Sequence, residues 1–277
     1  MAAHAGKHAV QWVRNRNPWA DGEPWRRTHP WRMYALGLGE HWLQPRVRFV
    51  IVTPGRTGSE LLVELLNSHP DIVCDPEILD QRRVLPDRFV AGRATRAGLS
   101  GAKAYGFKLF CGHFGYQPMR DRDEFLRQLS DEGVRLIFLR RENRLDQAVS
   151  SVVAAQTRWH WRRQDGGTFA PLTVDAVEVL VMAYLFEESE QYLESILAPL
   201  PHLRLVYEDN LIDPAAQQAT VDLICADLGL PSALAKSNLV RLTPPRLENV
   251  IANFAEVADL VRPTRFGCYL DEVRTEG

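Results

Sequence analysis

The sequence predicts an α/β fold in which helices flank a mainly parallel central sheet. Short apolar runs alternate with longer segments of helical periodicity along most of the chain, which is the pattern of a layered α/β protein. The run over 47–52 is largely apolar and β-branched, as expected for a strand buried on both faces of a parallel sheet. Two runs lead into basic residues at the start of a helix. In parallel sheets, ligands bind at the edge formed by the carboxyl ends of the strands, where such residues lie.

Five strands and six helices are predicted in chain order. The strands lie over 47–52, 72–74, 105–111, 134–139 and 203–207. The first helix begins at Ser59. The other five lie over 121–131, 143–161, 174–197, 214–228 and 247–261. The polar, arginine-rich stretch that ends at Leu99 is interpreted as a loop with short helical pieces.

Composition excludes several classes of protein. The 277 residues are 45% hydrophobic and 25% charged, as in an ordinary globular protein, and the net charge of -2 offers no general field for nucleic acid. The four cysteines have no paired metal-type spacing, so reduced thiols of a cytoplasmic protein are predicted. No signal-peptide core and no apolar run of membrane-spanning length is evident.

Residues 1–45 differ from the rest and are predicted to be an N-terminal extension to a single α/β domain over 46–277. Five of the seven tryptophans lie there, interleaved with arginine and proline: Trp12, Trp19, Trp25, Trp31 and Trp42. The extension could pack its rings on the core. Alternatively, it could form an amphipathic surface for a saccharide or for peripheral contact with a membrane.

The first junction, Pro54 to Ser59, has the features of a phosphate cradle. Gly55 and Gly58 let the backbone curl around an anion, and the free N–H groups of the first helical turn favour negative charge. Arg56 adds a forked cationic donor. The loop has no lysine and is therefore not a Walker A motif. The alternative is an ordinary turn with Ser59 as the helix cap.

The second junction follows the strand over 134–139. Arg140 and Arg141 come directly after it, and Asn143 is suited to cap the next helix. This junction is a second candidate anion site. Alternatively, the two arginines are surface charges at the end of a strand.

The first junction resembles the 5′-phosphosulfate loop of sulfotransferases that use 3′-phosphoadenosine 5′-phosphosulfate (PAPS). The motif is Arg56-Thr57-Gly58-Ser59. The resemblance implies that PAPS and its product 3′,5′-adenosine bisphosphate (PAP) bind along the loop and first turn, including backbone N–H groups as far as Glu60 and Leu61. Glu60 stands where many members have threonine, and its side chain is given no ligand role.

The segment over 138–162, FLRRENRLDQAVSSVVAAQTRWHWR, resembles the 3′-phosphate-binding segment of the same family. The resemblance implies that Arg141, with Arg140 as a substitute, and Ser150 bind the ribose 3′-phosphate. It is closer to the bacterial branch that sulfates trehalose and related glycolipids, and nodulation-factor sulfotransferases are also similar. It covers 47–265 and implies a P-loop-like fold, a carbohydrate or glycolipid acceptor and a possible homodimer.

The resemblance also implies the catalytic groups. Glu77, after Pro76, matches the general base of the trehalose branch, and His113 is the second candidate. Arg56 would stabilise the leaving 5′-phosphate, and Lys108 would contact the transferred sulfuryl group. Glu77 could instead be a capping or ion-pairing carboxylate, and Lys108 a buried paired lysine. No metal site is predicted.

Two other functions stay open from the residues. One is a nucleotide- or glycan-binding homologue without catalysis, which Glu60 and the unusual extension favour. The other is a P-loop-like phosphotransferase, which the missing loop lysine and the absence of an acidic metal-binding strand end argue against.

Overall fold

The structure, a computed structural model, describes residues 30–39, 43–115, 117, 122–157, 169–239, 244 and 246–271. Its strands are β1 (Val47–Thr53), β2 (Ile72–Asp75), β3 (Ala104–Phe110), β4 (Arg135–Arg140) and β5 (His202–Val206). Its helices are α1 (Pro30–Leu36), α2 (Ser59–Asn67), α3 (Pro86–Leu99), α4 (Arg122–Asp131), α5 (Arg144–Thr157), α6 (Ala176–Leu197), α7 (Tyr207–Asn210), α8 (Pro214–Leu228) and α9 (Phe254–Val261).

The five described strands form one parallel sheet in the order β2-β3-β1-β4-β5. The predicted fold class is therefore confirmed. β1 lies at the centre, where Val50 is paired with Phe107 of β3 and Leu136 of β4. Because all strands run the same way, their carboxyl ends meet at one edge of the sheet, and the segments that follow them are brought together there.

Helices cover both faces of the sheet, which explains why β1 does not alternate between apolar and polar residues. Phe49 and Ile51 pack with α2 and α8 on one face. Val50 and Val52 pack on the other face with α1, α3, α4 and the end of α6. These four side chains are fully buried, as expected for a strand in the middle of a three-layer α/β fold.

A separate apolar cluster joins α5, α6 and α9 beside the sheet. Helix α6 begins where Asp175 accepts hydrogen bonds from the N–H groups of Val177 and Glu178. Helix α8 has the predicted bounds: Asp213 caps its start, and Gly229, with φ 67°, ends it. These local signals were strong enough to define both helices from the sequence.

Two sequence expectations were wrong. The stretch ending at Leu99 contains a continuous 14-residue helix, α3, rather than short pieces. Its buried face includes the small residues Ala94 and Ala97, so its apolar stripe is faint among the arginines. The last predicted helix is divided into a 3₁₀ turn at Leu247–Asn249 and α9.

Part of the N-terminal extension packs on the domain. Met33 of α1 is buried, Gly92 of α3 lies against its backbone, and Tyr34 meets Phe89 edge to face. Trp31 is 61% exposed. The other four tryptophans of the extension lie outside the described residues, and the division of the chain at residue 45 stays a prediction. No described helix is long and apolar enough to cross a bilayer.

Candidate functional site

The first junction is held in an unusual backbone conformation. Gly55, Arg56 and Gly58 have φ angles of 97°, 55° and 74°. For Arg56, as a residue with a Cβ atom, this left-handed conformation costs about 1 kcal/mol. Gly58 is the N-cap of α2 and supplies no side-chain cap. The N–H groups of the first turn are therefore left for another acceptor.

Neighbouring side chains leave no room for larger residues at the two glycines. A Cβ atom on Gly55 would lie 2.7 Å from the ring of Phe110, and one on Gly58 would lie 2.6 Å from the ring of Tyr207. The Thr53 hydroxyl accepts a hydrogen bond from the N–H of Gly55 at 3.1 Å and lies 2.6 Å from the Thr57 hydroxyl. The loop is thus a preformed cradle.

The guanidinium of Arg56 lies across the second junction. Its Nε and Nη2 atoms donate hydrogen bonds to the Ser150 hydroxyl at 3.2 and 2.8 Å. Burial, and next the charge of Arg141, lower the pKa of Arg56 to about 10. Because that value is still well above neutral pH, Arg56 stays charged. The predicted 5′ and 3′ anion-binding residues are therefore neighbours.

Arg141 joins the two junctions and is 93% buried, with 7% of its surface exposed. Its Nη1 donates to the Arg56 carbonyl at 3.3 Å, its Nη2 donates to Asp146 at 3.1 Å, and its guanidinium carbon lies 4.7 Å from the Tyr207 ring centre. Its Nε is buried without a hydrogen bond, although a Glu208 carboxylate oxygen lies 3.6 Å away. A buried cationic donor left unsatisfied is costly and is suited to an anionic ligand.

Arg140 makes a different set of contacts. Its ion-pair partners are Glu190 of α6 at 3.5 Å and Glu142 at 3.7 Å. Of the two adjacent arginines, Arg141 is therefore the one that contacts the cradle.

A second cluster surrounds Lys108 of β3, whose side chain is 3% exposed. Its ammonium contacts the Glu60 carboxylate and lies 2.9 Å from Glu77. Burial, and next the charge of Arg56, lower the pKa of Lys108 to about 7. The lysine is thus a buried paired side chain in this state, and it stands close enough to Arg56 to feel its charge.

Glu77 lies between Lys108 and His113. Its second carboxylate oxygen is 3.5 Å from Nε2 of His113. The other imidazole nitrogen, Nδ1, accepts a hydrogen bond from the Phe110 N–H at 3.3 Å, so Nε2 carries the proton and faces Glu77. The Glu77 side chain is 29% exposed, whereas that of His113 is 3% exposed. Of the two predicted bases, Glu77 is the one more accessible to a substrate.

The end of β2 is anchored just before Glu77. Asp75 accepts hydrogen bonds from Nε of Arg93 and from the Tyr105 hydroxyl, at 2.8 and 2.9 Å. Arg93 also forms an ion pair with the other Asp75 oxygen. These contacts link β2 to α3 and β3, and they fix the point from which the chain turns into Pro76 and Glu77.

No protein-family model matches the chain. Two proteins from Rhizobium meliloti, both named nodulation protein H and one of them from strain 1021, are 26% identical to it over 232 residues. Each match spans 78% of this chain and 92% of the relative. This relationship supports a sulfotransferase assignment. The crystal structure of a sulfotransferase from Alicyclobacillus acidocaldarius has a TM-score of 0.45 and 14% identity, and covers 82% of this chain and 94% of its own.

The predicted sulfotransferase residues fall into two adjoining groups. Arg56, Arg141 and Ser150 surround the cradle, and Glu77, Lys108 and His113 lie beside it with Glu60. One predicted contributor, Arg140, lies apart from these groups and pairs with Glu190.

Sequence reasoning missed the carboxylates that hold Arg141. Asp146 lies on α5, and Glu208 follows β5. Glu208 also accepts hydrogen bonds from the N–H groups of residues 142 and 143, at 2.8 and 3.1 Å. Its place after a strand was a usable signal, because every parallel strand ends at the same edge. Asp146 gave no comparable signal. Within the described residues, no group of three or more His, Cys, Asp or Glu side chains could hold a metal ion.

Proposed function

We propose that the protein transfers a sulfuryl group from PAPS to a hydroxyl of a carbohydrate or glycolipid and releases PAP. The observation that carries this proposal is the junction of a backbone cradle with the buried Arg141, whose Nε lacks a hydrogen bond. A donor with phosphate groups at both its 5′ and 3′ positions needs two adjacent anion sites. The sulfotransferase assignment supports the same conclusion.

The residues present fit such a donor. The first-turn N–H groups of α2 and the glycine cradle suit the 5′-phosphosulfate, because helix N-termini favour anions. Arg141 and Ser150 suit the 3′-phosphate, since a guanidinium can bind phosphate through two donors. Arg56, which now donates to Ser150, lies between the two positions and can turn toward either.

The chemistry at this site is positioning and charge stabilisation. The donor supplies the sulfuryl group together with its own leaving group, the 5′-phosphate. Arg56 and the N–H groups of residues 57–61 stabilise the negative charge that grows on that phosphate. Lys108, released from Glu60 or Glu77, can neutralise charge on the transferred group.

Glu77 is the proposed general base, which accepts the proton of the acceptor hydroxyl. It is held by Lys108 at 2.9 Å and faces the proton-bearing Nε2 of His113 at 3.5 Å. These two contacts orient the carboxylate while leaving part of it exposed. His113 is buried and is better suited to orient Glu77 than to meet the acceptor.

The proposal includes a cytoplasmic location, taken from the unpaired spacing of the cysteines, and a homodimer, taken from the sequence resemblance. Contact of the tryptophan-rich extension with a membrane also belongs to it. Deletion of residues 1–29 tests that contact, because binding to glycolipid-containing liposomes should fall while the remaining protein stays folded. Equal binding by both proteins would exclude residues 1–29 from that role.

A non-catalytic binding homologue is the second candidate function. The observation that favours it is the pairing of Glu60 with Lys108, because it places a carboxylate beside the site of an anionic donor. Such a protein would bind PAP and transfer no sulfuryl group to any acceptor.

The first test is a calorimetric titration of the purified protein with PAP in the absence of magnesium, with 5′-AMP as the control. We expect binding that requires the 3′-phosphate, with a micromolar Kd, which corresponds to about −8 kcal/mol. Equal binding of AMP, or no binding of PAP, would contradict the proposal. Transfer of the labelled sulfuryl group from PAPS to trehalose then separates an enzyme from a binding homologue.

A second test addresses the base. Glu77→Gln should keep PAP binding and lower turnover by about 100-fold or more, because a general base contributes on that scale. His113→Gln is the comparison variant and should have the smaller effect, since it removes only the contact that orients Glu77. Near-normal turnover of Glu77→Gln would remove it from this role.

A further inference from the structure

Buried side chains donate hydrogen bonds to two carbonyl groups of the cradle, those of Gly55 and Arg56. Gly55 and Arg56 both have positive φ angles, so the chain needs outside contacts to keep them there. The Arg56 carbonyl is held by Arg141 at 3.3 Å, and the Gly55 carbonyl accepts from Nε2 of Gln147 at 2.6 Å. Gln147 has no exposed surface.

We propose that Gln147 is the positioning residue of the cradle, and that Arg144 and Glu190 set the orientation of its amide. These three residues are called the relay below. The proposal relies on the proposed function only for what the cradle binds. The backbone conformation that the relay maintains belongs to the free protein.

The orientation of the Gln147 amide follows from its two partners. Its oxygen accepts a hydrogen bond from Nη1 of Arg144 at 3.3 Å. A guanidinium has donors only, so the amide oxygen must face Arg144 and the amide nitrogen must face Gly55. A rotated amide would place oxygen against the Gly55 carbonyl and N–H against Arg144, and both contacts would be repulsive.

Arg144 is held in turn from α6. It is 7% exposed and forms an ion pair with Glu190, which is 5% exposed. Burial raises the pKa of Glu190, and the neighbouring Arg144 and Arg140 oppose that shift. A buried ion pair gives little net stability because both charges lose water. Its expected contribution is geometric specificity, and here it defines where the Arg144 guanidinium points.

The relay therefore connects α6, through the first turns of α5, to the backbone of the β1–α2 loop. None of its side chains has a role as a ligand or base in the proposed reaction. Its effect should appear as donor affinity, because a loop that leaves its left-handed conformation no longer directs its N–H groups toward one point.

Gln147→Glu is the most direct variant. It keeps the size of the side chain and its contact with Arg144, which becomes an ion pair, and it replaces the donor to the Gly55 carbonyl with a carboxylate oxygen. We expect PAP affinity to fall by about tenfold or more, the scale of one lost buried hydrogen bond with a repulsive contact. Amide hydrogen exchange of Gly55, whose N–H is hydrogen-bonded to the Thr53 hydroxyl, should become faster in the ligand-free protein.

Gln218→Glu is the matched control on α8. The Gln218 amide likewise donates to a backbone carbonyl, that of Ala233 at 3.0 Å, and accepts from the N–H of Ala235 at 2.9 Å. It should lose comparable thermal stability with no change in PAP affinity or in the amide exchange of Gly55. Glu190→Gln is the remote variant, and it should speed the same exchange by a smaller factor. This variant tests the relay independently if Gln147→Glu does not fold.

The two readouts separate this proposal from the proposed function. Amide exchange of Gly55 that is unchanged in Gln147→Glu, or that changes equally in Gln218→Glu, would overturn the relay. For a Gln147→Glu protein that does not fold, unchanged exchange in Glu190→Gln would do the same. A wild-type protein that fails to bind PAP would overturn the proposed function, while the exchange measurement would still decide the relay.

Discussion

At the β1–α2 junction the chain offers an anion its main-chain N–H groups, whereas at the β4–α5 junction it offers guanidinium groups. The first junction uses Gly55 and Gly58, where the rings of Phe110 and Tyr207 leave no room for a Cβ atom. The second uses Arg141, which Asp146 and Glu208 hold in place. Both suit anions, but one depends on backbone shape and the other on balanced charge.

The difference teaches which substitutions each junction should tolerate. The affinity of a site made from backbone N–H groups should fall when a side chain is added to one of its glycines. It should change little when a nearby charged side chain is neutralised. A site made from buried side chains is sensitive to the removal of either the cation or its counter-charge, because an unpaired buried charge is costly. Four experiments test this contrast.

The largest effect is expected at Arg141. Arg141→Met removes the buried charge and should weaken PAP binding by about 100-fold, the scale of two lost charge-assisted hydrogen bonds, while the weaker binding of AMP should change little. Calorimetry measures both. Arg204→Met is the control, since Arg204 is about half exposed and pairs with Glu194, and it should change neither. Equal loss for PAP and AMP would contradict the assignment of Arg141 to the 3′-phosphate.

Gly58→Ala tests the backbone junction. The added Cβ atom would meet the Tyr207 ring at 2.6 Å and adopt a left-handed conformation, so PAP affinity should fall by about tenfold. Gly133→Ala is the matched control, because Gly133 has φ 77° and nothing within 4 Å of the added atom. It should cost about 1 kcal/mol of unfolding free energy and leave PAP affinity unchanged. If both variants bind PAP normally, the cradle is not the donor site.

Lys108 provides a test by pH. The pKa of Lys108 is about 7 in the folded protein against an ordinary value of 10.5. Below pH 7 both the folded and the unfolded chain hold the proton, and the cost of burying the charge is fully present. Between pH 7 and 10.5 the unfolded chain holds more protons, so stability rises with pH.

The measurement compares wild type with Lys108→Met by urea unfolding across that pH range. The free energy of unfolding of wild type should rise relative to the variant, with a slope of at most about 1.4 kcal/mol per pH unit for one proton. Lys103→Met, at an exposed lysine paired with Asp71, is the control for removing a lysine charge. If wild type shows no rise relative to Lys108→Met, or a slope of the opposite sign, then Glu60 and Glu77 keep Lys108 charged over this range.

The smallest effect is expected at Glu208. Glu208→Gln keeps one acceptor oxygen but weakens the hydrogen bonds from the N–H groups of residues 142 and 143 and removes a counter-charge of Arg141. We expect a loss of about 1 kcal/mol in unfolding free energy and a weakening of PAP binding well below that of Arg141→Met. A loss of PAP binding as large as that of Arg141→Met would show that the carboxylate, not the arginine, controls this junction.

The sequence alone determined the α/β class, the five strands and the two junctions. These rest on local physics: an apolar β-branched run such as 47–52 is stable only between two helical layers, and glycines such as Gly55 and Gly58 mark backbone that must turn. Helix α3 was not predicted, because its buried face is made partly of small residues among arginines. Such a face is recognisable only from its packing against α1.

Tertiary structure alone decided how charge is arranged at the site. Lys108, Glu60 and Glu77 come from three separate segments, and their pairing follows from the strand order, which no local pattern encodes. The same holds for Arg141, which meets Asp146 on the following helix α5 and Glu208 after β5, and for Gln147, whose amide reaches the Gly55 carbonyl. Local sequence specifies where a chain can turn, whereas burial and the order of the parallel strands determine which charged side chains form pairs.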